Sequence, residues 1–189
     1  GLLPSAPAMA KKRAPEQYSP PYAAIVVDVK TGKTLHAVNA DAPRIPASIT
    51  KVMTLYLLFE QLEAGRLRLD TPLRVSAYAA AQAPSKLGLK PGSTISVEDA
   101  ILAMVTKSAN DVAMVVAENI GGSERAFAQM MTRKARALGM NRTTFYNPHG
   151  LPSSPSNITT ARALAILGQA IQDRFPRYYS YLQRRSFTF

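Results

Sequence analysis

Residues 48–62 read SITKVMTLYLLFEQL, and this stretch constrains the fold more than any other part of the chain. Ile49, Val52, Met53, Leu55, Tyr56, Leu58, Phe59 and Leu62 leave almost no polar face. Their spacing predicts a helix buried among other elements rather than lying on a surface, with Gly65 ending it. Ser48 and Lys51 stand three residues apart at its start, on one helix face, so the hydroxyl and the amine can meet. Burial disfavours the charged form of a lysine and lowers its pKa. A neutral amine beside a hydroxyl can take its proton and turn it into a nucleophile. The helix N-terminus adds N–H donors and partial positive charge where an oxyanion would form. Serine is also a common N-cap and Ser-x-x-Lys recurs by chance, so the tetrad needs support from the rest of the chain.

Residues 22–30, YAAIVVDVK, predict a strand; Thr31-Gly32 supplies a turn and residues 33–39 return as a second strand. Ile25, Val26 and Val27 at the hairpin centre imply a sheet covered on at least one side. Residues 70–75 read as a loop with a short extended piece, and residues 87–94, with Pro91-Gly92, as a turn. Ser96 followed by Asp99 resembles a capping box and opens a helix to about Thr106. Residues 111–120 form a further apolar helix stopped by Gly121-Gly122. Ser123 caps another, ending at Gly139. Asn147-Pro148-His149-Gly150 is a turn. Thr159 or Thr160 begins a last helix to about Gln172, and residues 185–189 alternate as a strand. A strand pair, a helical stretch and a returning strand imply a sheet with a helical insertion and a cleft where they meet.

Composition narrows the class. Of 189 residues, 47% are hydrophobic and 19% charged, ordinary for a globular protein. No run reaches the roughly 18 apolar residues of a membrane-spanning helix. The absence of cysteine excludes disulfides and thiolate metal sites. The net charge of +11 is spread: Lys11, Lys12 and Arg13 lie in the first twenty residues, and Arg174, Arg177, Arg184 and Arg185 near the end. A basic chain favours anionic surroundings. No zinc pattern, helix-turn-helix signature or aromatic–basic strand pair points to nucleic acid, so solvated basic faces are the simpler account. The first twenty residues, rich in Pro and Ala, are expected to be a flexible segment. Ala8-Met9-Ala10 is similar to the small-x-small end of a secretory signal.

Lys107-Ser108-Ala109-Asn110-Asp111 breaks two apolar stretches, residues 100–106 and 112–117, and exposes a hydroxyl and an amide between them. Alone, Ser108 reads as an N-cap or a polar connection. After a Ser-x-x-Lys helix, a second serine can relay a proton and an amide can orient lysine and substrate.

These segments, with Ile25–Asp28 and with residues 144–151, TFYNPHGL, follow one another in an order that resembles the serine-type D-alanyl-D-alanine carboxypeptidases, the low-molecular-mass penicillin-binding proteins. The resemblance covers residue 20 to the C-terminus. It implies an α+β, β-lactamase/transpeptidase-like fold: an antiparallel sheet flanked by helices, with a helical subdomain. It also implies an exported, periplasmic or cell-envelope protein. By resemblance Ser48 is the acylated nucleophile, Lys51 its base, Ser108 a proton shuttle and Asn110 the group holding Lys51 and the substrate amide. The substrate is then a peptidoglycan stem peptide ending in D-Ala-D-Ala, and β-lactams acylate the same serine. The Ser48 N–H supplies half of an oxyanion hole. An endopeptidase cutting cross-links uses the same residues. A β-lactamase is disfavoured, since no glutamate is evidently placed to activate water. A catalytically silent wall-binding module remains a reading of another class.

His149 sits in a turn whose Pro and Gly indicate a structural role, and no Ser-His-Asp order supports a triad. His36 falls on an exposed edge position. Neither has a metal-ligand partner at useful spacing, so no metal or other cofactor is expected. The third family motif, Lys-Thr-Gly, follows the Ser108 segment in the family. Here Lys30-Thr31-Gly32 spells it only in the early hairpin turn. Residues 21–189 are therefore expected to be a catalytic domain incomplete at its C-terminus, with its last strands elsewhere, in a longer chain or a second chain. Membrane anchoring is left open.

Overall fold

The computed structural model describes residues 21–183, so the expectations for residues 1–20 and for a strand at 185–189 lie outside the described residues. The hairpin forms as its sequence dictates. β1 (Ala24–Val27) pairs antiparallel with β2 (Thr34–Val38). The Asp28 carboxylate accepts the N–H groups of Lys30 and Thr31 at 2.8 and 3.0 Å, and Gly32 turns the chain at φ +73°. That fixes Lys30-Thr31-Gly32 as the hairpin turn. Ile25 and Val27 face Ile166 and Ala170 of α6 (Ala161–Arg174), while Val26 is half exposed. One covered face agrees with the sheet covered on at least one side that the apolar hairpin centre implied. His36 is exposed, as its edge position implied.

Beyond the hairpin the chain is mostly helical. A single 3-10 turn (Ala47–Ile49) leads into α1 (Thr50–Glu63), buried along nearly its whole length. β3 (Pro72–Arg74) and β4 (Thr94–Ser96) form a second antiparallel pair that turns Leu73 and Ile95 inward. A short α2 (Ala77–Ala80) lies between them, capped by the Ser76 hydroxyl. α3 (Val97–Lys107), α4 (Asn110–Gly121) and α5 (Glu124–Leu138) follow. The Ser96 and Ser123 hydroxyls accept the Asp99 and Ala126 N–H groups, and Gly122 and Gly139 end α4 and α5 in the left-handed conformation. These are the stops and starts that the sequence set out.

α4 is the hub. Residues 110–117 are all buried, and the helix packs against α1, α2, α3, α5 and β3. Side chains such as Met114 and Val116 have no exposed surface, so truncating one costs about 2–5 kcal/mol. Gly121 lets α4 and α5 meet: a Cβ there would stand 2.8 Å from the Phe127 backbone.

The helix expected to be last is followed by another. α7 (Pro176–Gln183) starts at a proline, tolerated at the first helical position because no intrahelical N–H is needed there. Its Tyr178 stacks on Phe59, and Phe175 just before it meets Tyr56 and Phe59 edge-on, clamping the C-terminal helices to α1.

Candidate active site

The 3-10 turn presents Ser48 to solvent, where its hydroxyl makes no hydrogen bond to a described residue. Ser48 therefore precedes α1 rather than capping it, and Ile49 holds the cap position without a side-chain bond. Ala47, the residue before it, has φ +50°, a conformation that costs a residue with a Cβ roughly 1–2 kcal/mol. Such strain persists only where surrounding structure imposes it. The imposing element is the Asn147–Gly150 turn. Gly150, at φ +89°, packs so closely that a Cβ on it would overlap the Ala47 carbonyl and stand 3.1 Å from the Ser48 nitrogen.

Lys51 lies in the first turn of α1 and is 5% exposed. Burial lowers its pKa to about 8. Its Nζ donates to the His149 carbonyl at 2.9 Å, and the nearby Thr54 hydroxyl donates to the Pro148 carbonyl at 2.6 Å. α1 thus grips the turn that backs the serine. No hydrogen bond joins Lys51 to Ser48 in this state, nor Lys51 to Asn110, among the described residues.

His149 is buried, and its Nδ1 accepts the Leu151 N–H at 3.0 Å, so the neutral ring carries its proton on Nε2. Burial first, and the Lys51 charge second, push its pKa down to about 4. It is neutral at pH 7 and hydrogen-bonded to neither serine, which agrees with the structural role read from the turn.

Ser108 is not an N-cap. It ends α3 in the left-handed conformation, φ +49°, with its N–H on the Met104 carbonyl; Ala109 takes the cap position of α4. The break displays its hydroxyl, which bonds to no described residue. Asn110, whose amide the break was expected to expose, is instead buried and bound within the fold rather than to Lys51: its amide donates to the Ala83 carbonyl at 3.0 Å and its N–H to the Ser85 carbonyl at 2.8 Å. Asp111, fully buried, accepts the N–H groups of Leu87, Gly88 and Leu89 at 2.9, 2.9 and 3.2 Å. The motif thereby fastens residues 83–89 across the start of α4. Asp111 and Gly150 stand within the motifs quoted from the sequence, where Asp111 was given no part and Gly150 only a place in a turn. A carboxylate directly before an apolar helical stretch was the available signal for Asp111, whereas the contact of Gly150 is long-range.

The structure thus leaves the Ser48 hydroxyl exposed, and unpaired among the described residues, three residues before a buried lysine amine of lowered pKa. Comparison with known proteins gives that pair its context. The profile of the D-alanyl-D-alanine carboxypeptidases, peptidase family S11, matches residues 10–189. D-alanyl-D-alanine carboxypeptidase DacC of Escherichia coli is 35% identical over 171 residues, 87% of this chain and 42% of that protein. The D-alanyl-D-alanine endopeptidase of the same organism is 36% identical over 148 residues, 76% of this chain and 45% of that protein. The crystal structure of D-alanyl-D-alanine carboxypeptidase DacD from Francisella tularensis superposes with a TM-score of 0.83 at 36% identity, over 94% of this chain and 43% of that one. The chain thus spans less than half the length of these relatives.

Proposed function

From the premise that this chain belongs to the D-alanyl-D-alanine carboxypeptidase family, with its α+β, penicillin-binding-protein fold, we propose that it is part of a serine D,D-carboxypeptidase acting on peptidoglycan stem peptides. The observation that carries this reading is the buried Lys51 amine, its pKa lowered to about 8, one helical turn from the free Ser48 hydroxyl. In the proposed reaction Lys51 takes the Ser48 proton as Oγ attacks the carbonyl between the last two D-alanines. The oxyanion is held by the Ser48 N–H and by a donor in the remaining length that the relatives have; losing one such donor typically costs about 3–4 kcal/mol. Ser108 relays the proton to the departing D-alanine amine, leaving an ester on Ser48. Water then hydrolyses the ester and restores the hydroxyl. Asn110 orients the substrate amide, exchanging its bond to the Ala83 carbonyl for one to the ligand.

A β-lactam presents a strained amide carbonyl in place of the scissile one and would acylate Ser48. The site of action is the cell envelope, where the substrate lies; among the described residues no helix is long and apolar enough to cross a membrane. Residues 21–189 are, on this reading, part of the catalytic domain.

The similarity to an endopeptidase favours a second reading, hydrolysis of cross-links by the same residues. Product analysis with the full-length protein separates the two. Release of D-alanine from a monomeric pentapeptide supports the carboxypeptidase. Conversion of a cross-linked dimer to monomers without D-alanine release supports the endopeptidase instead.

A further inference from the structure

The turn behind Ser48 is itself fixed by one buried amide. Asn157, 3% exposed, lies ten residues beyond Asn147 and just before α6. Its Oδ1 accepts the N–H groups of Tyr146 and Asn147 at 2.7 and 3.2 Å. Its Nδ2 donates to the Thr50 hydroxyl at 3.1 Å and lies 3.2 and 3.1 Å from the Asn147 carbonyl and Oδ1. Asn147 Oδ1 in turn accepts the N–H groups of His149 and Gly150 at 3.3 and 2.7 Å. Asn157 thus ties the first residue of α1 to the Asn147 end of the turn, and the Asn147 side chain carries that hold to His149 and Gly150. The turn then delivers two contacts to the chemistry: the His149 carbonyl on Lys51 Nζ, and Gly150 against Ala47 and Ser48.

We propose that Asn157 is a positioning residue for the Ser48–Lys51 pair, acting through the Asn147–Gly150 turn, without touching substrate. This rests on the nucleophile and base roles proposed above. An asparagine suits the place because it must accept two N–H groups and donate to a hydroxyl and a carbonyl from one rigid plane. An aspartate in its stead would set a carboxylate against the Asn147 carbonyl, and alanine would take the acceptor from the Tyr146 N–H and leave the buried Asn147 N–H unpaired, a loss comparable to other buried hydrogen bonds. A displaced turn frees Lys51 from the His149 carbonyl and lets it reach water, which moves its titration back toward that of an ordinary lysine.

The test uses the full-length protein. Asn157→Ala and Asn157→Asp are compared with Thr143→Val, which breaks a buried hydroxyl pair with Thr159 in the same part of the fold without contacting the turn. The rate of acylation by a chromogenic penicillin is followed against pH, and the Lys51 amine is titrated by nitrogen-15 NMR. Both Asn157 variants are expected to acylate at least tenfold more slowly, with the Lys51 titration and the acid limb of the rate moved upward. Thr143→Val is expected to lower the melting temperature while leaving both unchanged. Wild-type rate and titration in the Asn157 variants overturn the proposal. So does an equal fall in all three variants with no movement of the Lys51 titration, which means a loss of stability alone. If the Asn157 variants do not fold, Thr50→Val, which removes only the acceptor on α1, carries the same two readouts. An unacylated wild-type protein counts against the proposed function, and the NMR titration then still decides the role of Asn157.

Discussion

Lys51 sets the pH at which the proposed nucleophile is armed. Its neutral form is the proposed base, and burial brings its pKa to about 8, so acylation is expected to rise as pH passes through that value. Lys51→Met should remove this limb and slow acylation about 10²–10⁴-fold, the range for a general base, as stopped-flow measurements would show. The neighbouring imidazole works in the opposite part of the scale. His149 has a folded pKa of about 4 against 6.5 for an ordinary histidine, so the unfolded chain binds the extra proton first. Stability from this residue is full above pH 6.5 and is lost as pH falls toward 4, by roughly 3 kcal/mol from the linkage relation. Chemical denaturation at pH 7 and pH 4.5 checks this: His149→Asn, which keeps an acceptor for the Leu151 N–H, should show a markedly smaller fall. At this scale the sequence disclosed Lys51, because an amine inside an apolar run must be buried. It hid the contact of Gly150 with Ala47, which joins residues a hundred positions apart and leaves no local pattern beyond a glycine in a turn.

At the scale of elements, helix ends were the most legible feature. Ser96, Ser123 and Thr160 cap where a hydroxyl precedes an apolar period, and Gly122 and Gly139 end helices where a left-handed residue is required. α7 was missed because Pro176 reads as a breaker when it is a first-turn residue, and its eight residues are held by aromatic contacts with α1 rather than by propensity. The layout of residues 83–89 was not legible either. Its order comes from the Asp111 carboxylate, whose partners lie more than twenty positions away. Asp111→Asn replaces one acceptor oxygen by a donor aimed at backbone N–H groups. The expected cost is about 2–3 kcal/mol in urea denaturation, with faster hydrogen exchange at Leu87, Gly88 and Leu89. An unchanged midpoint and unchanged exchange would mean that this carboxylate does not hold the segment.

At the scale of the whole molecule, α4 packs against α1, α2, α3, α5 and β3, while the hairpin packs on α6, which joins the rest through α1 and α5. The order of strands and apolar helices conveyed a hairpin followed by a helical region, and the family resemblance supplied the α+β class. The separate β3–β4 pair was only partly foreseen, since three-residue strands are too short for alternation to declare itself. What joins the parts into one account is the proposed covalent event at one hydroxyl. The full-length protein and its Ser48→Ala variant should be incubated with a penicillin, weighed intact and mapped by peptide. The account predicts one penicillin per chain, carried by the peptide that contains Ser48, and none on the variant. An adduct on another residue, or an active full-length protein that stays unmodified, would contradict it.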